Sequence, residues 1–276
     1  MKFLRSIRQM LVVATCGLVA SCYATAVNAE EGWGTLKGQV VINGDAPENP
    51  IEKVDDHPDK AICLVDGELP QDDNIVVDEN GGLRDVFVMM YVKGKGADAP
   101  IHESYSEVDE DKELSIDNVK CRFVPHALFV RTGQSVMLKN SDSVGHNCQI
   151  TTFNNECNIN LPAGDGVPIK FDKSDKVPGL VNCKMHEWMD GVVLIRDNPY
   201  VAITDSAGKF EIKNVPAGEW EFQFWHKKSG FMKKLESSAY KFGRKGEAEV
   251  EITNEGETDM GKLEFPTKSF LSLIHI

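Results

Sequence analysis

Beyond residue 30, almost every patterned stretch of this chain repeats with period two or is a short β-rich run between turn residues, and no amphipathic helical window of useful length follows. That pattern predicts an all-β fold. Gly38-Gln-Val-Val-Ile42 runs into the turn pair Asn43-Gly44, and Gln134 to Lys139 alternates before a polar loop. Asp85-Val-Phe-Val-Met-Met-Tyr-Val92 is apolar at consecutive positions, as a strand buried on both faces must be. Phe210 and Ile212 alternate with Lys209, Glu211 and Lys213, while Trp220, Phe222 and Phe224 share one face after Pro216-Ala-Gly218. The two runs read as a hairpin about that turn.

The first 29 residues stand apart. Lys2, Arg5 and Arg8 precede an apolar core from Met10 to Ala20, the layout of a secretory signal and too short to span a membrane. Two exits compete: Val27-Asn28-Ala29 suits ordinary cleavage, and Val19-Ala20-Ser21-Cys22 reads as a lipid-attachment box. Cleavage after Ala29 is favoured, because Trp33 and the first strand follow at once and leave an anchor little tether. Either exit predicts a periplasmic or extracellular protein with no transmembrane span. Removing the leader takes the formal net charge from −13 to −16, since three basic residues and no acidic ones are lost. So acidic a surface argues against nucleic acid or phosphate as a ligand. Solubility is the favoured reading of that charge, and a field that steers a basic redox partner, weakened by salt, is the alternative. The run Glu107 to Glu113 reads as a solvated loop, since it lacks the glycine and spacing of a calcium loop.

Five cysteines remain after the leader: Cys63, Cys121, Cys148, Cys157 and Cys183. An exported chain oxidises its thiols in pairs, so the odd one demands a reason. Of the three pairings open to the first four, Cys63 with Cys121 and Cys148 with Cys157 are favoured, the latter because both lie in one short segment that can fold back. Cys183 has a reason of its own. Cys183-Lys-Met-His186-Glu-Trp-Met189 packs a thiolate, an imidazole and a thioether into seven residues, and His146 stands upstream before Asn147. One Cys, two His and a Met are the ligand set of a blue-copper site, in which a soft thiolate and two imidazoles form a plane that both copper oxidation states tolerate. Zinc fits worse, because a thioether is a poor zinc ligand.

Val177 to Cys183 reads as a strand ending at the thiolate and Gly191 to Ile195 as its return, so the loop between them presents Cys183, His186 and Met189 from one end of a sandwich. His126 reads as a strand histidine, and His57, His102 and His226 rank lower still as ligands. Trp188 is expected to pack over the metal or to form an apolar docking collar beside His186. Cys148, two residues after His146, shares its strand face.

Over residues 113–197 the chain resembles the cupredoxin superfamily. Phe123-Val-Pro125, Val130-Arg-Thr-Gly133, Val136-Met-Leu-Lys-Asn140, Asp142 and His146-Asn147 follow the opening pattern of that superfamily, and Cys183-x-x-His186-x-x-Met189 has the short ligand loop of amicyanin. The resemblance implies a Greek-key β-sandwich holding one type 1 copper through His146, Cys183, His186 and Met189. It also implies that Asn147 hydrogen bonds toward the thiolate and ties the two ligand segments together. Residues 198–266 look like a second, smaller sandwich of the carboxypeptidase-regulatory type, with the boundary near Asp197-Asn198-Pro199. The whole resembles proteins sometimes described as methylamine-utilisation-like. The strands of 31–112 are either the opening of that second sandwich, which makes the copper domain an insertion, or extra strands of the copper domain; the insertion is slightly favoured. Residues 267–276 fit neither and read as an artefactual tail.

The expected function is single-electron transfer between redox partners such as a c-type cytochrome or a dehydrogenase. Cys183 is read as the strong thiolate ligand, His146 as the buried imidazole, His186 as the solvent-facing electron port and Met189 as the weak axial ligand. No enzymatic constellation is evident, and the His-x-His pairs of a multicopper oxidase are missing from the sequence. Copper storage or delivery, and a metal-free envelope binding module, are the competing expectations.

Overall fold

Alternating burial sorts the chain into four β-sheets, seen in a computed structural model that describes residues 32–52, 54–92, 99–105 and 114–271. The expected leader with Cys22, the acidic run at 107–113 and the last five residues lie outside the described residues. In chain order the strands are β1 (Trp33–Asn43), β2 (Phe87–Tyr91), β3 (Leu114–Asn118), β4 (Phe123–Val124), β5 (Ala127–Arg131), β6 (Ser135–Asn140), β7 (His146–Thr151), β8 (Glu156–Leu161), β9 (Gly166–Lys170), β10 (Gly179–Asn182), β11 (Asp190–Arg196), β12 (Val201–Ile203), β13 (Lys209–Pro216), β14 (Gly218–His226), β15 (Gly230–Phe231), β16 (Glu247–Ile252) and β17 (Glu257–Pro266). Two one-turn helices, α1 (Lys60–Cys63) and α2 (Lys268–Leu271), and a 3-10 turn at Glu103–Tyr105 complete the described elements. The all-β expectation holds.

Strands between 114 and 196 make two sheets, ordered β4-β3-β6-β9 and β5-β11-β10-β7-β8. The strands flanking them in sequence make the other two, β13-β1-β17 and β12-β2-β14-β15 with β16 on the side of β14. Thus β1 and β2 pair with strands more than a hundred residues downstream, β1 with β13 and β17, β2 with β12 and β14.

Three apolar layers hold the sheets together. β2 shows why its sequence is apolar at every position: Val88 and Met90 enter the core shared with Leu36, Phe222 and Phe224, while Phe87 and Met89 enter a second one shared with Val192 and Leu194 of β11. β11 does the same in mirror fashion, because its Val193 and Ile195 face the core around Cys183. Phe87, Val88, Met89, Met90, Val193, Leu194 and Ile195 are all 0 % exposed, and each such burial stabilises the fold by about 1.5–3 kcal/mol. The site-bearing sheets are therefore clamped to the flanking pair through an apolar contact rather than through a linker.

One expectation fails here. β13 and β14 are not a hairpin: β13 belongs to the β1 sheet and β14 to the β2 sheet, so Pro216-Ala-Gly218 turns a corner between layers. Gly218, with φ +106°, makes the corner, and Trp220 pins it by donating its Nε1–H to the Pro216 carbonyl at 2.8 Å. α2 follows β17, and Phe270 is buried against Phe265 and His226 with ring centroids 5.0 and 5.4 Å away.

Candidate metal centre

Three of the four ligand candidates sit where a strand starts or stops, and His186 lies in the loop between two of them. His146 opens β7, Cys183 directly follows β10, and Met189 directly precedes β11, so the loop 183–189 closes a rigid antiparallel pair in which Asn182 faces Asp190. Its turn is fixed by two backbone bonds, Met189 N–H to the His186 carbonyl at 2.9 Å and Cys183 N–H to the Met189 carbonyl at 3.2 Å. The structure thereby gathers one ligand atom each from His146, Cys183 and His186 within 4.8 Å of one another, all three side chains buried. Cys183 Sγ lies 3.8 Å from His186 Nδ1, and the two imidazole centroids are 4.5 Å apart. Met189 is buried in the same core as Cys183.

The outer nitrogens show how the rings are aimed. His146 Nε2 meets Asp142 Oδ2 at 2.8 Å and His186 Nε2 meets Asp59 Oδ2 at 3.0 Å. A carboxylate on one ring nitrogen fixes the tautomer and leaves the other nitrogen free as a basic ligand, an arrangement metal-binding histidines commonly adopt. His146 Nδ1 is that free atom, buried without a hydrogen-bond partner. A buried imidazole nitrogen left unpaired costs stability unless something binds it. Asp142 is itself held, accepting from Lys120 N–H at 2.7 Å and Cys121 N–H at 2.9 Å.

Asn147 ties the two ligand segments. Its backbone N–H points to Cys183 Sγ at 3.3 Å, and its side-chain oxygen accepts from Lys184 N–H at 3.4 Å. Burial alone would raise the Cys183 thiol, but the adjacent His146 and His186 rings and the Asn147 N–H outweigh it and bring its pKa down to about 5. Burial likewise opposes charge on His146, and its bond to Asp142 together with the nearby Cys183 sulfur raises it to about 9. Both shifts express one thiolate–imidazolium pair, whose proton a metal ion displaces. A pre-formed thiolate with two imidazoles in a dry pocket is the donor set copper takes.

His186 departs from expectation, since it is not solvent-facing: its exposure is 0 %. The segment from Val54 to Cys63 lies over it. His57 stacks on His186 with centroids 4.7 Å apart, Trp188 meets both rings at 5.1 and 5.2 Å, and Asp59 supplies the carboxylate already described. Val54 and Cys63 anchor this cap in the site-bearing core, and the Cys63–Cys121 disulfide, with Cα atoms 4.9 Å apart, staples it beside Asp142. Sequence reasoning missed Asp59 and gave His57 only a low rank as a ligand, with no place beside His186. The signal available was the Cys63–Cys121 pairing itself, which brings residues near 60 against the loop that carries Asp142.

Cys148 and Cys157 do not pair. Both are free thiols, because the β7–β8 register sets Cys148 opposite Ile159 and Cys157 opposite Ile150. Diagonal neighbours lie about 7–8 Å apart, beyond the Cα separation a disulfide prefers. Cys148 is buried, and burial holds its thiol protonated. His126 lies apart from this triad, in an ion network. It meets Asp85 Oδ2 at 2.7 Å and faces Asp190 Oδ1 at 3.6 Å, while Lys227 and Arg122 already pair with Asp190 and Asp73 beside it. That buried ion network joins the ligand strand β11 to the flanking sheets.

No protein-family model and no curated protein matches the chain. Among solved structures it is similar to a purple cupredoxin from Nitrosopumilus maritimus, 23 % identical over 30 % of this chain and 99 % of that one, with a TM-score of 0.26. A reduced Cu(I) form of an amicyanin point mutant is 21 % identical over 33 % of this chain and 89 % of that one, with a TM-score of 0.28. A Cu-containing nitrite reductase from Thermus scotoductus SA-01 is 17 % identical over 40 % of this chain, which spans 26 % of that protein, with a TM-score of 0.29. These likenesses cover a minor part of the chain, and the reading of the site rests on its own side chains.

Proposed function

We propose that this is an exported type 1 copper protein that carries single electrons between redox partners. The observation that carries the reading is the buried triad itself, an acidic thiolate facing two imidazoles whose far nitrogens are already held by carboxylates. Copper would be held by Cys183, His146 and His186, with Met189 as a weak fourth donor, and would supply reversible Cu(I)/Cu(II) exchange there. The protein's share of the chemistry is positional. Asp142 and Asp59 orient the rings, the Asn147 N–H stabilises negative charge on sulfur, and the cap with its disulfide excludes water. Ligands held at strand ends and on the short loop that joins two of them resist rearrangement when the charge on the metal changes, which keeps electron transfer fast.

The chain is a carrier in this reading and not an enzyme: the remaining described histidines lie in the cap, in the His126 ion network, beside Trp33 or against Phe270. The flanking sheets, interrupted in sequence by residues 114–196, serve as a scaffold for docking a partner or the envelope. Export follows from the leader sequence. A visible spectrum of the purified protein with added Cu(II) tests the centre: an intense band near about 600 nm, abolished in Cys183→Ser, is expected for a Cys-ligated type 1 site. A colourless protein overturns the carrier reading, and one that is colourless yet retains Cu(I) is a storage or delivery protein instead.

A further inference from the structure

Resting on the copper reading, we infer that electrons enter and leave through the ring of His57, and that the acidic cap around it is the docking face for a lysine-rich redox protein. His186 has no solvent-exposed edge, so a partner cannot reach the ligand directly. Electron tunnelling falls exponentially with distance, and the port is therefore the exposed group packed most closely on a ligand. His57 meets that requirement: its centroid is 4.7 Å from that of His186, its side chain is 24 % exposed, and its orientation is fixed by the Asp59 N–H donated to Nδ1 at 3.2 Å. Trp188 also touches His186, at 5.2 Å, but it turns its Nε1 into the interior.

Charge gives the port its partner. Asp55 and Asp56 are exposed just before His57, Asp59 is half-exposed just after it, and Glu187 stands exposed between His186 and Trp188 on the loop below. Residues 52–60 hold four carboxylates against two lysines, and Lys60 is taken by Asp55. An acidic rim around a redox port accelerates encounter with a cationic face and repels an anionic reagent, and salt screens both effects. The transfer is one electron: Cu(I) in this protein is oxidised to Cu(II) as ferric haem in the partner is reduced to ferrous.

The test is stopped-flow oxidation of the reduced copper protein, followed by return of the visible band, with a lysine-rich c-type cytochrome as one oxidant and ferricyanide as the other. Asp55→Asn with Asp56→Asn is expected to slow the cytochrome reaction roughly 3–10-fold at low ionic strength, to speed ferricyanide, and to do neither at about 0.5 M salt. His57→Ala is expected to slow the cytochrome reaction at least about 5-fold at every salt concentration, and His57→Phe, which keeps a ring at that place, to restore most of the rate. Visible spectra of all variants show whether the centre is intact. A cytochrome rate that is unchanged or faster in His57→Ala, with the band preserved, overturns the port. Absence of any band in the unsubstituted protein overturns the copper reading instead, and the port with it.

Discussion

His146 and His186 each turn one ring nitrogen toward the thiolate side and the other to a carboxylate, but His146 finds Asp142 four residues upstream whereas His186 finds Asp59 at a separation of 127 residues. Asp142 is buried and gripped by two backbone N–H groups of the β3–β4 turn, where Lys120 and Cys121 both adopt positive φ. Asp59 has a side chain 32 % exposed and sits on a cap whose covalent tie is the Cys63–Cys121 disulfide. One imidazole is therefore fixed by its own local segment, and the other by a distant segment that folds over it. The difference separates the metal-holding half of the site from the half that meets the outside.

The largest expected effect comes from cutting that tie. The disulfide closes a separation of 58 residues, and chain entropy alone assigns such a cross-link about 4 kcal/mol. Cys63→Ser with Cys121→Ser should lose stability of that order in urea unfolding and should raise amide exchange across residues 54–63, yet keep the visible band, because none of the four proposed ligands resides in the cap. A variant that loses the band along with the disulfide would show that the cap builds the centre and does not merely cover it.

Next is Asp142→Asn. Loss of the carboxylate behind a metal-binding histidine costs about 10–100-fold in affinity. The loss should be read above pH 9, because below that a proton on His146 competes with copper and the same substitution weakens the proton as well. The reduction potential should rise by about 60 mV for each ten-fold lost from Cu(II) relative to Cu(I). Asp59→Asn should act in the same direction but more weakly, about ten-fold or less, since solvent already reaches that carboxylate. A larger effect from Asp59 than from Asp142 would reverse the comparison and make the cap the principal holder of the metal.

The same contrast governs what could be read from sequence. His146, Cys183, His186, Met189 and Asn147 lie on two short segments whose spacing displays them, and Asp142 lies within the same pattern. The antiparallel pairing of β10 with β11 that presents the loop was legible for the same reason: alternation and turn residues encode local strand geometry. The burial of His186 was not, because nothing within residues 183–189 records that a segment 127 residues away will stack on it. Register was equally hidden. Nearness of Cys148 and Cys157 in sequence placed them in one hairpin, but a disulfide depends on which residues stand opposite, and those are Ile159 and Ile150. The Pro216–Gly218 turn failed in a third way, since a tight turn between two amphipathic runs looks the same whether the runs pair or part into different sheets.

Two buried imidazoles outside the site extend the comparison to stability. His126 lies against Asp85 and Asp190; burial opposes its charge, but those bonds raise its pKa to about 9. His226 is packed against Phe270 with its Nε2 unpartnered, and burial pushes it down to about 3. An unfolded histidine titrates near about 6.5. Below pH 6.5 the unfolded chain protonates His226 while the folded chain resists, so stability falls with acid by about 1.4 kcal/mol per pH unit until pH 3. His126 works the other way: its contribution is complete below pH 6.5 and is lost as pH rises from 6.5 through 9, again by about 1.4 kcal/mol per unit. The two effects cross near about pH 6.5, which should be the stability maximum that these groups impose. His226→Phe, with a ring retained among the apolar neighbours, should flatten the acid limb by one proton in urea titrations at about pH 4, 5 and 6.5 and leave the alkaline limb alone. His126→Gln should do the converse. Equal flattening of both limbs by either substitution would mean that the two rings titrate as one unit, and that a neighbouring carboxylate is not what sets a buried imidazole's charge in this fold.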